Sequence, residues 1–407
     1  MTTVAASPAV SGTRSLGFAR VLAPVSVAHF CSHFFQFILP PLFPAMKAHY
    51  GVGFTELGLL VAIFYGFSGV SQAVVGVVVD RYGAARVLSG GLALLAISFA
   101  GVALAPSYSW LLPLMALAGL GNSIFHPCDY SIMSARIEPN RVGRAFSLHA
   151  LAGTAGYAAA PLTMLALSAV MPWNVAILAP VLLAALTALY IAVRRGDFAT
   201  PTSAGKAAAP GQRSGLGVLL HTSVIAAFVF FALGALPAIG VTAFLPAALL
   251  DQFGTPLAIT AAAIGAQQAG GAVGVLLGGW LADRAGRHDQ VIIAGLLVAG
   301  ALIYAVTTQP IPAVLLPTAF GLAGFASGLT GPSRDMIIRA IATPETRGRI
   351  FGFVYSGYDL GSAMVPLALA AILDRGHVGW IAPVIAASYL AMIAVVMAVR
   401  YGSVSRA

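Results

Sequence analysis

Three groups of residues in this 407-residue sequence have the types and spacing to do chemistry. His29, His33 and Gln36 fall at i, i+4 and i+7, so a helix would carry them as one polar stripe. That stripe would touch substrate or protons, or make a hydrogen bond between helices. Two histidines at i, i+4 also suit a metal, but no third ligand is evident nearby and no H-E-x-x-H pattern occurs, so neither metal nor cofactor is expected. His126 and Asp129 share one side of a helix, with Pro127 between them to bend it and free a carbonyl. The pair reads as a proton relay, because histidine titrates near neutral pH, or else His126 donates to the freed carbonyl and shapes the helix. The third group is Tyr355, Tyr358 and Asp359, with His149 and Tyr157 in another segment and the adjacent charges Arg334 and Asp335.

These groups sit in an apolar chain. Hydrophobic residues make up 59% of it and charged residues 8%, against about 25% charged in a soluble domain. A water-soluble fold of this length could not cover itself with so few charges, so the chain reads as an integral membrane protein. Each crossing needs about 20 apolar residues. Twelve such stretches occur, near 18–43, 56–79, 85–105, 110–136, 144–169, 173–193, 218–249, 257–281, 290–308, 313–339, 348–373 and 380–400. The longest imply tilt or broken ends. Their continuity excludes a β-barrel, and the polar stretch 1–15 does not read as a signal peptide.

With the N-terminus inside, Arg14, Arg20, Arg81, Arg86, Arg136, Arg141, Arg144, Arg194, Arg195, Lys206, Arg213, Arg284, Arg287, Arg339, Arg347, Arg349, Arg400 and Arg406 all fall on the inner side. Only Lys47 and Arg375 fall outside, and Arg334 is left within the membrane. This asymmetry places both termini in the cytoplasm and accounts for the net charge of +9 without a nucleic-acid partner. Cys31 and Cys128 lie in apolar spans and imply no disulfide framework. Trp110, Trp173 and Trp380 fall at outer boundaries, as interface anchors do.

Residues 194–217 form a polar linker between six stretches and six, dividing the chain into halves 1–193 and 218–407. The halves repeat. Gly76, Asp80, Arg81 and Gly83 recur 203 residues later as Gly279, Asp283, Arg284 and Gly286. Pro127, Pro139, Gly143, Arg144, Phe146, Gly156 and Pro161 recur 205 residues later as Pro332, Pro344, Gly348, Arg349, Phe351, Gly361 and Pro366. Six helices per half make the repeats parallel, an arrangement that builds a site at their interface.

The run Gly76-Val-Val-Val-Asp80-Arg81-Tyr-Gly83-Ala-Ala-Arg86 resembles the loop signature of the major facilitator superfamily, and Gly279 to Arg287 resembles its second copy. The first copy departs from the pattern, with Ala84 and Ala85 where a basic residue is usual. Phe125-His126-Pro127, after Gly119 and Gly121, and the polar first helix from Ser32-His33 to Pro40-Pro41 are similar to the fosmidomycin-resistance branch, which exports a small phosphonate drug. Gly153 to Pro161 is similar to a Gly/Pro motif of drug exporters, though ordinary helix packing explains it as well.

The resemblance implies an all-α membrane fold of twelve transmembrane helices in two parallel six-helix repeats, with helices 1, 4, 7 and 10 lining a central cavity. Asp129 and Arg334 are repeat mates 205 apart, so they would face each other as an interdomain ion pair, either switching or static. Asp80, Arg81, Arg86, Arg136, Asp283, Arg284 and Asp335 read as gate residues, with Asp80 accepting from helix N-termini or pairing with Arg81 or Arg136. A plain topological anchor is the alternative. Asp129 with His126, or Asp359, would be the proton-coupling group. His29, His33, Gln36, Arg334, His149, Tyr355 and Tyr358 would meet the substrate.

The expected function is a proton-coupled secondary transporter, exporting a small anionic or amphiphilic compound by alternating access. Proton-linked import of a small organic anion is the alternative, and a membrane-embedded enzyme or a transporter-like sensor would be the reading from another class. No P-loop supplies ATP, and no G-x-S-x-G elbow suggests hydrolysis. The partners would be a small-molecule substrate, protons and the lipid bilayer, with the protein a monomer in a bacterial inner membrane.

Overall fold

The computed structural model describes residues 17–202, 215–308 and 312–404. Arg14, Lys206, Arg213, Arg406 and linker positions 203–214 lie outside the described residues, and of Arg400 and Pro366 only the backbone is described. The helices are α1 (Phe18–Gln36), α2 (Phe54–Tyr82), α3 (Ala84–Leu104), α4 (Tyr108–Asn122 and Phe125–Arg136), α5 (Val142–Ser168) and α6 (Leu178–Val193). The second six are α7 (Thr222–Ile239), α8 (Leu257–Ala282), α9 (His288–Thr308), α10 (Leu316–Ile341), α11 (Arg347–Asp374) and α12 (Ile381–Val404). Eleven helical segments among the described residues are long and apolar enough to cross a bilayer. The twelfth expected span coincides with α11, whose 28 residues are ample at about 1.5 Å per residue but carry Arg347, Arg349, Asp359 and two tyrosines.

The long stretches are indeed broken. α1 ends at Gln36, and Pro40-Pro41 opens a short turn before the helix Phe43–Tyr50. α7 passes Pro237 into a π-turn, Gly240–Phe244, and restarts as Leu245–Phe253. α4 breaks at Ser123-Ile124, so Pro127 sits in the first turn of the second piece, where its missing N–H costs nothing. α2 starts at Gly53, whose N–H donates to Glu56 at 3.0 Å, and stops at Gly83, whose φ of 87° suits glycine.

The packing repeats with the sequence. α1 packs on α5 and α7 on α11; α2 on α4 and α8 on α10; α3 on α6 and α9 on α12. The halves meet along a seam made by α2 with α11 and, by the same pseudo-twofold, α5 with α8. The outer surface is apolar: Val70, Leu104, Leu162, Leu182, Leu189 and Val193 stand exposed, the reverse of a soluble protein and right for lipid. Trp110 and Trp380 are exposed as anchors should be, whereas Trp173 packs edge-on against His49 and Tyr50. Cys31 and Cys128 are free and buried.

Candidate functional site

On the side of the two loop signatures the seam is fastened twice. The Asp80 carboxylate, at the end of α2, accepts from the backbone N–H of Gly348 (2.8 Å) and Arg349 (3.2 Å) and from Arg349 Nε (2.6 Å). Asp283, at the end of α8, accepts from the N–H groups of Gly143 (2.7 Å) and Arg144 (3.4 Å) and from Arg144 Nε (2.6 Å). Each aspartate thus caps the positive N-terminus of a helix in the opposite half and pairs with its arginine. Glycine is what lets the backbones meet: a Cβ on Gly76 would lie 2.4 Å from the Arg349 Cα, and one on Gly279 2.8 Å from the Gly143 carbonyl.

The expected partners Arg81 and Arg136 are not used. Arg81 lies over the Tyr82 ring and Arg136 donates to the Asp197 carbonyl. Arg86 reaches the Tyr82 carbonyl, and Arg284 covers Trp280. Arg144 and Arg349 take the place of the expected arginines, and their one mark in the sequence is the repeat Gly143-Arg144 and Gly348-Arg349.

The expected Asp129–Arg334 pair is not formed. The contact across the pseudo-twofold is one residue further on, where Tyr130 donates to Asp335 at 3.0 Å. One residue turns a helical side chain by about 100°, so Asp129 points back into its own half and Arg334 toward α7. Asp335 also accepts from Tyr355 (3.0 Å) and from Arg334 Nε (3.0 Å), and the Tyr130 and Tyr355 hydroxyls touch each other. The Arg334 guanidinium sits 4.3 Å from the Phe231 ring centroid, as cation and ring favour. With Asp335, Tyr358 and Gln267, it lines a cavity of about 340 Å³ among α5, α7, α8, α10, α11 and α12.

Asp359 lies on the α2–α11 seam, where Gln72 of the opposite half donates to it at 2.9 Å. It is exposed, as is Tyr358.

The remaining candidates gather in the first half. His29 Nδ1 lies 3.5 Å and His149 Nε2 3.4 Å from Asp129 Oδ2, and His33 Nε2 lies 3.1 Å from His29 Nε2. Asp129 and His149 are fully buried and His29 is 4% exposed. His126 stacks on Tyr355 across the seam, centroids 4.3 Å apart, and its Nδ1 has no hydrogen-bond partner. Gln36 accepts from Tyr157 at 2.7 Å. The expectation that no third ligand stands near His29 and His33 is therefore corrected: α4 and α5 bring Asp129 and His149 to them. Helix spacing shows only ligands on one helix, which is why these two were missed.

Known proteins share this architecture. The model of the Major Facilitator Superfamily matches residues 25–317 and 238–407. The Fosmidomycin resistance protein of Escherichia coli is 25% identical over 373 residues, 89% of each chain. An uncharacterized MFS-type transporter of Bacillus subtilis, YfnC, is 30% identical over 142 residues, which is 35% of this chain and 34% of that protein. Among solved structures, the human organic anion transporter MFSD10 (TETRAN) superposes with a TM-score of 0.68 at 16% identity, covering 94% of this chain and 100% of its own. With the twofold packing and both loop signatures, the match across both halves identifies the chain as a member of the major facilitator superfamily, a family of transporters rather than enzymes.

Proposed function

We propose that this protein is a proton-coupled secondary transporter that exports a small anionic or amphiphilic compound by alternating access. Two units, 1–193 and 218–407, would rock about a central site, joined by the 194–217 linker. The observation that carries this reading is the pair of aspartate latches, which fasten both edges of the seam on one side of the bundle. A sensor or an enzyme has no need of such paired latches; a carrier needs them to close one side while the other opens. By the distribution of Arg and Lys the latched side is cytoplasmic, with both termini there. The setting is a bacterial inner membrane and the working unit a monomer, with the lipid bilayer, protons and a small molecule as its partners.

Arg334 supports an anionic cargo, because a cation beside a cavity attracts negative charge. The names of two similar proteins are in keeping with that class, one an organic anion transporter and the other a fosmidomycin resistance protein. Asp359 supports the coupling role: an exposed carboxylate bonded across the seam changes charge on protonation and so weights the two conformations differently.

Proteoliposomes with a trapped pH dye test the reading, screened with phosphonates, small carboxylates and lipophilic drugs. The expected result is a compound-dependent proton flux that Asp359→Asn abolishes while counterflow of labelled compound persists. Its sign in oriented vesicles separates export from import. Exchange of a compound with no proton flux in the wild type refutes coupling, and flux surviving in Asp359→Asn removes that residue from the role.

A further inference from the structure

We propose that His29, Asp129 and His149 hold a divalent transition-metal ion inside the first half of the bundle. One ligand comes from each of α1, α4 and α5, and their donor atoms lie within 4.8 Å of one another. Donors about 2.0–2.1 Å from a tetrahedral ion stand about 3.3 Å apart. The two distances to Asp129 Oδ2, 3.5 and 3.4 Å, are close to that edge.

Hydrogen bonding does not explain the cluster. Both Asp129 oxygens, His29 Nδ1 and both His149 nitrogens are buried without a hydrogen-bond partner. A carboxylate and two imidazoles turned toward one point in an apolar interior, with these five atoms lacking hydrogen bonds, are what buried polar groups avoid unless a further group satisfies them. A divalent ion would take one donor atom from each of the three residues at once and more than offset the charge of the carboxylate.

The surroundings fit a ligand set. If His29 binds through Nδ1, its Nε2 carries the proton, and His33 Nε2 stands 3.1 Å away to accept it. Metal-bound histidines are commonly fixed by such an outer partner. Gly153 makes room for these rings, since a Cβ there would meet His29 Nε2 at 2.7 Å. Two imidazoles and one carboxylate suit Zn²⁺, Co²⁺, Ni²⁺, Mn²⁺ or Fe²⁺ rather than Ca²⁺ or Mg²⁺, which prefer all-oxygen shells. All three ligands belong to one half and are buried, so rocking of the halves would not release the ion. It would be resident, tying α1 to α4 and α5, rather than carried.

The test uses the full-length protein, purified in detergent through a tag free of histidine and washed with chelator. It is titrated with Co²⁺ and read by visible absorption and by elemental analysis after gel filtration. The expected result is about one ion per chain with visible bands stronger than those of aqueous Co²⁺, displaced by Zn²⁺. His149→Gln and Asp129→Asn should each abolish the bands, while His33→Ala weakens binding by about 10–100-fold. A wild type that retains no ion and shows no bands overturns the proposal, as do bands that survive both ligand substitutions. If a variant fails to reach the membrane, the wild-type titration decides alone. No transport is measured, so a negative result leaves the proposed function standing.

Discussion

The two latches are related by the pseudo-twofold but differ in burial, and that difference sets the size of a testable effect. The Arg349 side chain is 8% exposed in its contact with Asp80, whereas Arg144 is 40% exposed in its contact with Asp283. Asp80→Asn keeps the shape but removes the charge, leaving Arg349 buried beside a neutral group. Breaking such a buried pair costs about 3–5 kcal/mol; because the amide still offers one oxygen, about 3 kcal/mol is the better figure. Only the latched conformation loses this, so its population relative to the open one should fall by about 150-fold, at 1.4 kcal/mol per tenfold. A protein about 99% latched would become about 40% latched. Asp283→Asn loses a pair whose aspartate is buried but whose arginine is partly exposed and screened by water, about 1 kcal/mol, or about fivefold. Spin labels at the exposed positions Arg81 and Thr343 would read the distance across the seam, since buried Cys31 and Cys128 would escape labelling. Asp80→Asn should also slow transport while the protein still reaches the membrane. Equal populations in wild type and Asp80→Asn, or a larger effect from Asp283→Asn, would refute the reasoning.

Two further outcomes follow from the same geometry. Gly76→Ala places a methyl 2.4 Å from backbone atoms of Arg349 and Gly348, so the latched state should lose about 1–3 kcal/mol and the same spin-label distance should lengthen; an unchanged distribution would show that the seam has slack. Arg334→Gln should raise the half-saturation concentration of an anionic cargo about 10–100-fold, the worth of a charged hydrogen bond of about 1.5–3 kcal/mol, with counterflow as the assay; equal loss for a neutral cargo would show that the charge is not what binds.

Twelve spans could be read from the sequence because an apolar run about 20 residues long has one meaning in a bilayer. The repeat was equally legible, since Asp80 and Asp283, Gly143 and Gly348 keep their spacing. What periodicity could not supply was rotation about each helix axis. The offset of 205 pairs α4 with α10, and the two touch through Tyr130 and Asp335 rather than Asp129 and Arg334, a difference of one residue that no spacing argument resolves. The repeat marks Asp80 and Asp283 but not the arginines they meet, because Asp80 and Arg349 are 269 residues apart and only packing joins them. The gathering of His29, Asp129 and His149 was hidden for the same reason. The break in α4 was half-visible: Pro127 announced an irregularity, but the chain interrupts at Ser123-Ile124, so that the proline falls in a first turn.

Asp335 has a bearing on the return stroke of an unloaded carrier. It neutralises Arg334 in place of any cargo, and through Tyr130 it is held to the opposite half. On the proposed cycle a bare cation in the membrane would stall an empty protein, and this carboxylate would serve as a built-in surrogate anion that lets it reset. On the proposed function, an anionic cargo would displace Asp335 from Arg334 and so disturb the Tyr130 tie between the halves. Occupancy and rocking would thereby be linked through one side chain, with no separate signal needed.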